Sequence, residues 1–246
     1  MPQTTDAPVD ITVVITAHGE GIIAGQSAKS AEAAIAEAER GGLRCEIVVV
    51  LDRADELTSS VLREALGDRA RYAISDAGDP GGARNRGVAE ARGTTVAFLD
   101  ADDLWSSNWL KAGFAQITAR PDTIAHSACN LVFGGKRMLW WHTDSEIALC
   151  DGAYLAWGNF WDALTIARTE IYRRFPFRAN DLRLGFGHED WHWNVMTLRN
   201  GVAHKPVPGT MHFKRARRGS QMEAVERVSG LPWPDAIIGL GRSPAS

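Results

Sequence analysis

Cysteine is scarce in this 246-residue sequence: three thiols, Cys45, Cys129 and Cys150, stand far apart. An odd, dispersed set suits neither a disulfide framework nor a zinc cluster, so a reducing compartment, the cytoplasm, is expected. No run of about 18 apolar residues occurs, which excludes an ordinary membrane-spanning helix. A one-sided charge is missing too. Lys and Arg total 27 against 30 Asp and Glu, and a net charge of −3 gives no field that would hold a polyanion, so nucleic acid is not an expected partner. Residues 1–10 lack the basic start and apolar run of a secretory signal, and no export is expected. Internal repeats, low-complexity segments and linkers rich in Pro, Gly or Ser are also lacking.

What remains is ordinary globular composition, 45% hydrophobic and 23% charged, which excludes disorder as the main state. The length fits one large α/β domain or two small ones. Ile11 to Thr16, Glu46 to Leu51, Ala70 to Ile74 and Thr94 to Leu99 read as β-branched strands. Helical stretches alternate with them: Gln26 to Arg40, Glu56 to Leu66, and a segment opened by Gly81-Gly82 that runs to Arg92. This order predicts a Rossmann-like, mostly parallel sheet with helices on both faces and ligands at the carboxyl ends of the strands. Beyond Asp103 the pattern turns mixed. A helix is expected over Ser106 to Ala119, one or two strands over His126 to His142, a strand over Ala163 to Ala167, and short helices at Glu170 to Phe175 and Trp191 to Arg199. The expected organisation is a flexible N-terminus over 1–10, a regular half over 11–105, a mixed α+β half of the same domain over 106–228, and an extended tail over 229–246.

Three motifs carry chemistry. Asp100-Ala101-Asp102-Asp103 lies where a buried strand emerges at the ligand edge. Crowded carboxylates repel unless a divalent cation lies among them, and oxygen ligands suit Mg²⁺ or Mn²⁺ with phosphate as a further ligand. A solvated loop whose Asp caps the next helix is the plainer reading. Gly81-Gly82-Ala83-Arg84-Asn85-Arg86-Gly87 joins a flexible helix start to two guanidinium groups, which favours anionic oxygen. It matches neither the P-loop nor the dinucleotide fingerprint. Gly187-His188-Glu189-Asp190-Trp191 precedes an amphipathic helix, which a carboxylate there either caps or leaves free for proton transfer. The same stretch satisfies HExxH through His188, Glu189 and His192, although a zinc hydrolase wants a third ligand and leaves the acidic cluster unexplained.

The series VVIT, IVVVLD, GGARNRGVAEARGTTVAFLDADDLW and GHEDWHW resembles the family 2 glycosyltransferases over about Ile11 to Ser220, with Gly82 to Trp105 the most specific stretch. The resemblance implies a GT-A fold and transfer of a sugar, with inversion, from a nucleoside-diphosphate sugar to a saccharide or other hydroxyl acceptor. It makes 11–105 the donor half and 106–228 the acceptor-binding and catalytic half. It implies donor contacts from Thr16, Ala17, His18, Glu20, Asp52, Arg84, Asp100 and Ala101, and a bound Mn²⁺ or Mg²⁺ at Asp100 and Asp102, with Asp102 as the direct ligand and His212 completing the shell. Asp190 becomes the general base, and Glu189 and Trp191 acceptor contacts. The basic stretch 212–218 closes over the diphosphate, with Arg218 on phosphate, or is a solvated loop. The first loop has Ala17-His18-Gly19 where many members carry Pro and Asn, and Leu51-Asp52-Arg53-Ala54-Asp55 replaces Asp-Asp-Gly-Ser. The base of the donor, its sugar, the acceptor and the oligomeric state stay open.

Of nine tryptophans most are expected in the core, where a large ring is buried regardless of ligand. Two other functions compete. A sugar-nucleotide nucleotidyltransferase would put a Gly-rich basic loop after the first strand, which Ala17-His18-Gly19-Glu20 lacks. A non-catalytic nucleotide-sugar-binding protein would not need Asp190.

Overall fold

A computed structural model describes residues 8–147, 150 and 152–238. The parallel half is built from β1 (Ile11–Ala17), β2 (Cys45–Asp52), β3 (Ala70–Ser75) and β4 (Thr95–Asp100), in the order β3-β2-β1-β4. Every residue of β1 is buried, as its near-continuous β-branched run requires of a strand covered on both faces. The crossovers are α1 (Ala24–Arg40), α2 (Glu56–Leu66) and α3 (Pro80–Glu90). Asp55 caps α2 by accepting from Thr58 N–H, and Asp79 caps α3 by accepting from Gly82 N–H, with Pro80 at the first turn.

Period-two alternation splits the strands between two cores. Ile11, Val13, Ile15, Ala97 and Leu99 face one side with the alanine stripe of α1, Leu62 and Leu66 of α2, and Trp109, Leu110 and Ile117 of α4 (Trp109–Ala119). Val14, Val48, Val96 and Phe98 face the other with Ala83 and Val88 of α3, Ile171 and Tyr172 of α5 (Thr169–Arg174), and Trp193 of α6 (Glu189–Arg199). The α3 contact needs a glycine: a Cβ on Gly87 would stand 2.2 Å from Val14 Cγ1.

The sheet then continues through strands of mixed direction. β5 (Leu104–Trp105), β6 (Thr123–Gly134), β7 (Met138–Trp141), β8 (Thr165–Arg168) and β9 (Ala203–Ala216) extend it as β4-β8-β6-β9-β5, with β7 on β6. β8 is antiparallel to β4 and β6, and β9 is parallel to β6 but antiparallel to β5. The fold is GT-A, an α/β sheet with a mixed second half. Among the described residues no helix is long and apolar enough to cross a membrane.

Several elements differ from the sequence reading. The basic stretch belongs to β9, the longest strand, which Pro206, Pro208 and Gly209 disguise in the sequence. Its pairing with β6 slips between Ser127 and Cys129, and the extra β9 residues include Gly209 at φ +74°. α4 starts at Trp109 because Ser106 to Asn108 turn toward β9, with Ser106 N–H donating to Met211 O. α6 starts at Glu189. The tail is not wholly extended: α7 (Gln221–Arg227) leads through Trp233, stacked on Phe186, into the short helix α8 (Pro234–Ile237), which buries Ala236. Residues 1–7 of the expected flexible N-terminus and 239–246 of the expected tail lie outside the described residues. Asp10 is tied to the sheet, its N–H donating to Arg44 O.

Candidate active site

The parallel register levels the carboxyl ends of β1, β2 and β4, with Thr16 beside Asp100 and Ala17 beside Leu51. The first loop is therefore held at this rim. His18 Nδ1–H donates to Asp52 O at 2.7 Å, and Glu20 accepts from His18 N–H at 2.7 Å. Asp52, buried, turns its carboxylate to Gly78 N–H and Asp79 N–H at 3.1 and 3.2 Å. It fixes the loop before α3, and its side chain faces that loop. Ala101 is buried and its N–H donates to Thr16 O, so it closes the turn with its backbone.

The acidic turn is balanced by cations of the chain itself. Asp100 accepts from Thr16 Oγ1 at 2.8 Å and from Arg84 on both carboxylate oxygens at 3.0 and 3.1 Å. Burial would raise its pKa, but Arg84, Lys214 and Thr16 together hold it below the usual carboxylate range. Asp103, held beside β9 by the β5 pairing, accepts from Arg215 N–H at 2.7 Å and Lys214 Nζ at 2.9 Å. Burial nevertheless pushes it up to about 7, against Lys214. Asp102 accepts from Arg217 Nε at 2.8 Å. Each carboxylate thus has a cation of the chain beside it, while at Asp103 the charges of Asp102 and Asp100 still add to burial in raising the pKa. Asp102 has the most exposed of these partners: the Arg217 side chain is 28% exposed, against 19% for Lys214 and 4% for Arg84.

Arg84 does not open onto a donor groove as the resemblance implied. It is buried at the centre of an ion relay, with Nη1 donating to Glu189 Oε1 at 2.8 Å and Nη2 to Asp100. Burial works against its charge, but Asp100 and Glu189 outweigh that and raise its pKa. Glu189 also accepts from Asn180 Nδ2 at 2.9 Å, which leaves it a brace and not an acceptor contact. Nor does Trp191 face an acceptor: it is 8% exposed, donates Nε1–H to Leu155 O and packs with Leu155 and Trp161.

Asp190 follows in the first turn of α6, where Oδ1 accepts from Trp191 N–H at 2.7 Å. Burial and neighbouring Glu189 push its pKa up to about 7, against Arg84. A carboxylate near neutrality at this rim is suited to take a proton. HExxH gathers no metal site here. Glu189 is bound to Arg84, His188 is the left-handed cap of α6, and His192 faces Asp235 at 3.5 Å.

His212 is not brought to the acidic turn. It is fully buried beside Trp105 and Trp109, with ring centroids 6.3 and 4.5 Å away. Burial pushes its pKa down to about 3, and the charged groups acting on it are Asp162, His142 and Lys214. Its position on β9 opposite Trp105 sends the ring into the core. Arg217, not exposed Arg218, reaches the acidic turn. Sequence reasoning missed Asn180 and Asp162, the latter 3.4 Å from Lys214, since nothing in their neighbourhoods marks them.

Comparison with known proteins fits this geometry. The chain is 30% identical over 148 residues to succinoglycan biosynthesis protein ExoO of Rhizobium meliloti (strain 1021), a match over 60% of this chain and 41% of that protein. The chain thus spans less than half the length of this curated relative. Its fold is similar to that of S. aureus TarS 1-349 in complex with UDP-GlcNAc, with a TM-score of 0.62 and 16% identity over 96% of this chain and 68% of that one. A structure of S. aureus TarS matches with a TM-score of 0.57 and 18% identity, covering 89% of this chain and 39% of that one. Residues 12–198 match the model of glycosyl transferase family 2, which is most of the sheet and the whole of the Arg84 relay, and the chain belongs to that family.

Proposed function

We propose that this protein is an inverting, metal-dependent glycosyltransferase that moves a sugar from a nucleoside-diphosphate sugar to a hydroxyl of a saccharide or other acceptor. Asp190 carries the reading: a half-buried carboxylate with its pKa pushed up to about 7, coupled through Glu189 and Arg84 to the acidic turn. The UDP-GlcNAc bound to TarS supports a UDP-sugar as donor. The scarcity and wide spacing of cysteine support a cytoplasmic setting.

Asp190 takes the acceptor proton at Oδ2, since Oδ1 is held by Trp191 N–H. The acceptor oxygen bonds to the anomeric carbon while the bond from that carbon to the diphosphate breaks. Glu189 is tied to Arg84 and Asn180, so no second carboxylate offers a nucleophile there, which supports a single displacement with inversion. Thr16 and Arg84 fix Asp100, and Lys214 fixes Asp103, so the turn presents Asp102 in a set geometry.

The turn fits a Mn²⁺ or Mg²⁺ through Asp102, where the Arg217 guanidinium already stands as a positive group on the carboxylate. When bound, such an ion offsets the charge that builds on the departing diphosphate. Arg217, which also stands 3.5 Å from Glu20, would then be able to meet phosphate oxygen. Asp190→Asn is expected to keep its calorimetric affinity for UDP and lose transfer by about 10²- to 10⁴-fold. Transfer at the wild-type rate would overturn the assignment.

A further inference from the structure

Four of the seven histidines, His126, His142, His204 and His212, are buried in the second half of the sheet; His126 and His204 are hydrogen-bonded to each other, and the His142 ring stands 5.3 Å from that of His126. Their proton positions follow from the network. Thr197 Oγ1 donates its single proton to a carbonyl of its own helix, Trp193 O at 2.8 Å or Asn194 O at 3.1 Å. It therefore accepts from His204 Nε2–H at 2.8 Å, and His204 Nδ1 accepts from His126 Nε2–H at 2.9 Å. His126 Nδ1 is left with a bare lone pair, in a fully buried side chain, and with no partner. His142 Nδ1–H donates to Ser127 O at 2.8 Å, so Nε2 carries a lone pair, which accepts from Asn130 Nδ2 at 3.3 Å and which an ion would take over from that amide.

One ring nitrogen of His126, one of His142 and an Asp162 oxygen lie within 4.8 Å of one another, with all three side chains buried. We infer that His126 Nδ1, His142 Nε2 and the Asp162 carboxylate form a binding site for a divalent transition-metal ion, zinc foremost, distinct from the acidic turn. Two imidazoles and a carboxylate suit zinc, and the hydrogen bond behind each imidazole is the outer support that metal-bound histidines use. Burial holds both imidazoles neutral, which is the ligating form. Asp162 keeps its charge despite burial, because Lys214 and the hydrogen bond from Asn130 favour the carboxylate.

The ligand atoms, which lie within 4.8 Å of one another, must draw together to hold an ion. A tetrahedral ion with bonds of about 2.0–2.1 Å holds its ligand atoms about 3.4 Å apart, so the 3.9 Å between His142 Nε2 and Asp162 Oδ1 closes by about 0.5 Å. Asn130 Nδ2 donates to Asp162 Oδ2 at 2.8 Å and aims that carboxylate. Trp161, stacked on His126 at 5.7 Å and on His204 at 4.3 Å, seals the cluster. Such burial favours a structural ion that joins β6, the segment after β7 and the segment before β8. Lys214 stands 3.4 Å from Asp162 and 2.9 Å from Asp103, so an ion on Asp162 transfers this lysine to the acidic turn.

The test uses the whole chain, stripped with a chelator, loaded with zinc, dialysed against metal-free buffer and measured by mass spectrometry for retained metal. One zinc per chain is expected in the wild type and in Asp102→Ala, with loss in His142→Ala and His142→Gln. Zinc-edge X-ray absorption of the wild-type protein, which depends on no variant folding, is expected to show two imidazole ligands. Wild-type protein that keeps no zinc, a spectrum without imidazole, or undiminished retention in folded His142→Gln would each overturn the site. Zinc lost from Asp102→Ala alone would assign the ion to the acidic turn and overturn this second site. Transfer activity enters none of these readings, so failure of the glycosyltransferase proposal is detected separately.

Discussion

The two halves of the sheet solve burial differently. The β1–β4 half is aliphatic, parallel and paired with an alanine-striped helix, so its interior holds no histidine. The β6–β9 half buries His126, His142, His204, His212, Asp162 and Lys214 among tryptophans. An apolar core needs only the right period and volume, whereas a polar core must satisfy each donor and acceptor through partners distant in sequence. The first half therefore holds the rim in place, and the second half tunes the charges that meet it. Arg84 is the tie between them, reaching from α3 to Asp100 on one side and Glu189 of α6 on the other.

The proposed general base comes first. Asp190→Asn carries the largest expected effect, the transfer loss of two to four orders of magnitude with UDP affinity kept. Arg84→Met cuts the tie and leaves buried Glu189 without its counter-charge and half-buried Asp100 with only Lys214 and Thr16, a cost of about 3–5 kcal/mol by denaturant titration. A cost under about 1 kcal/mol, the value of a surface pair, would mean that the halves hold together without it. Gly87→Ala tests the aliphatic half alone. A Cβ 2.2 Å from Val14 Cγ1 forces α3 off β1 and costs about 1–3 kcal/mol, while the histidine cluster is untouched.

The smallest effect is one of pH. Asp190 must be ionised to act, so kcat/KM is expected to fall about tenfold per unit below an apparent pKa of about 7. The same group changes stability with the opposite sense. Its folded pKa lies above the unfolded value of about 3.9, so its contribution is complete below that pH and is lost as pH rises through about 7. Asp190→Asn is therefore expected to gain stability relative to wild type above pH 7, read as a melting-temperature difference that widens from pH 5 to pH 8. A difference independent of pH would mean that Asp190 titrates normally.

Legibility follows the same division. Ile11 to Ala17, Cys45 to Asp52 and Thr95 to Asp100 announce themselves because local period and β-branching decide buried parallel strands. Asp100 and Asp102 stood out in the sequence because they follow a buried strand, and Asp190 because it lies at the start of a helix. β9 was hidden by Pro206 and Pro208, whose cost is absorbed by a slipped register that no local rule announces. Arg84 looked like a phosphate ligand because its buried partner Glu189 lies 105 positions away. His212 looked like a metal ligand until its pairing with Trp105 turned it inward.

The central claim is that Asp102 exchanges Arg217 for a cation when the donor arrives. Crystals soaked with UDP and Mn²⁺ and measured at the manganese absorption edge test it directly. The account predicts an anomalous peak bonded to the Asp102 carboxylate and to the diphosphate, with Arg217 turned away from Asp102 onto phosphate oxygen. Bound UDP with the Arg217–Asp102 pair intact and no manganese at that carboxylate would contradict it.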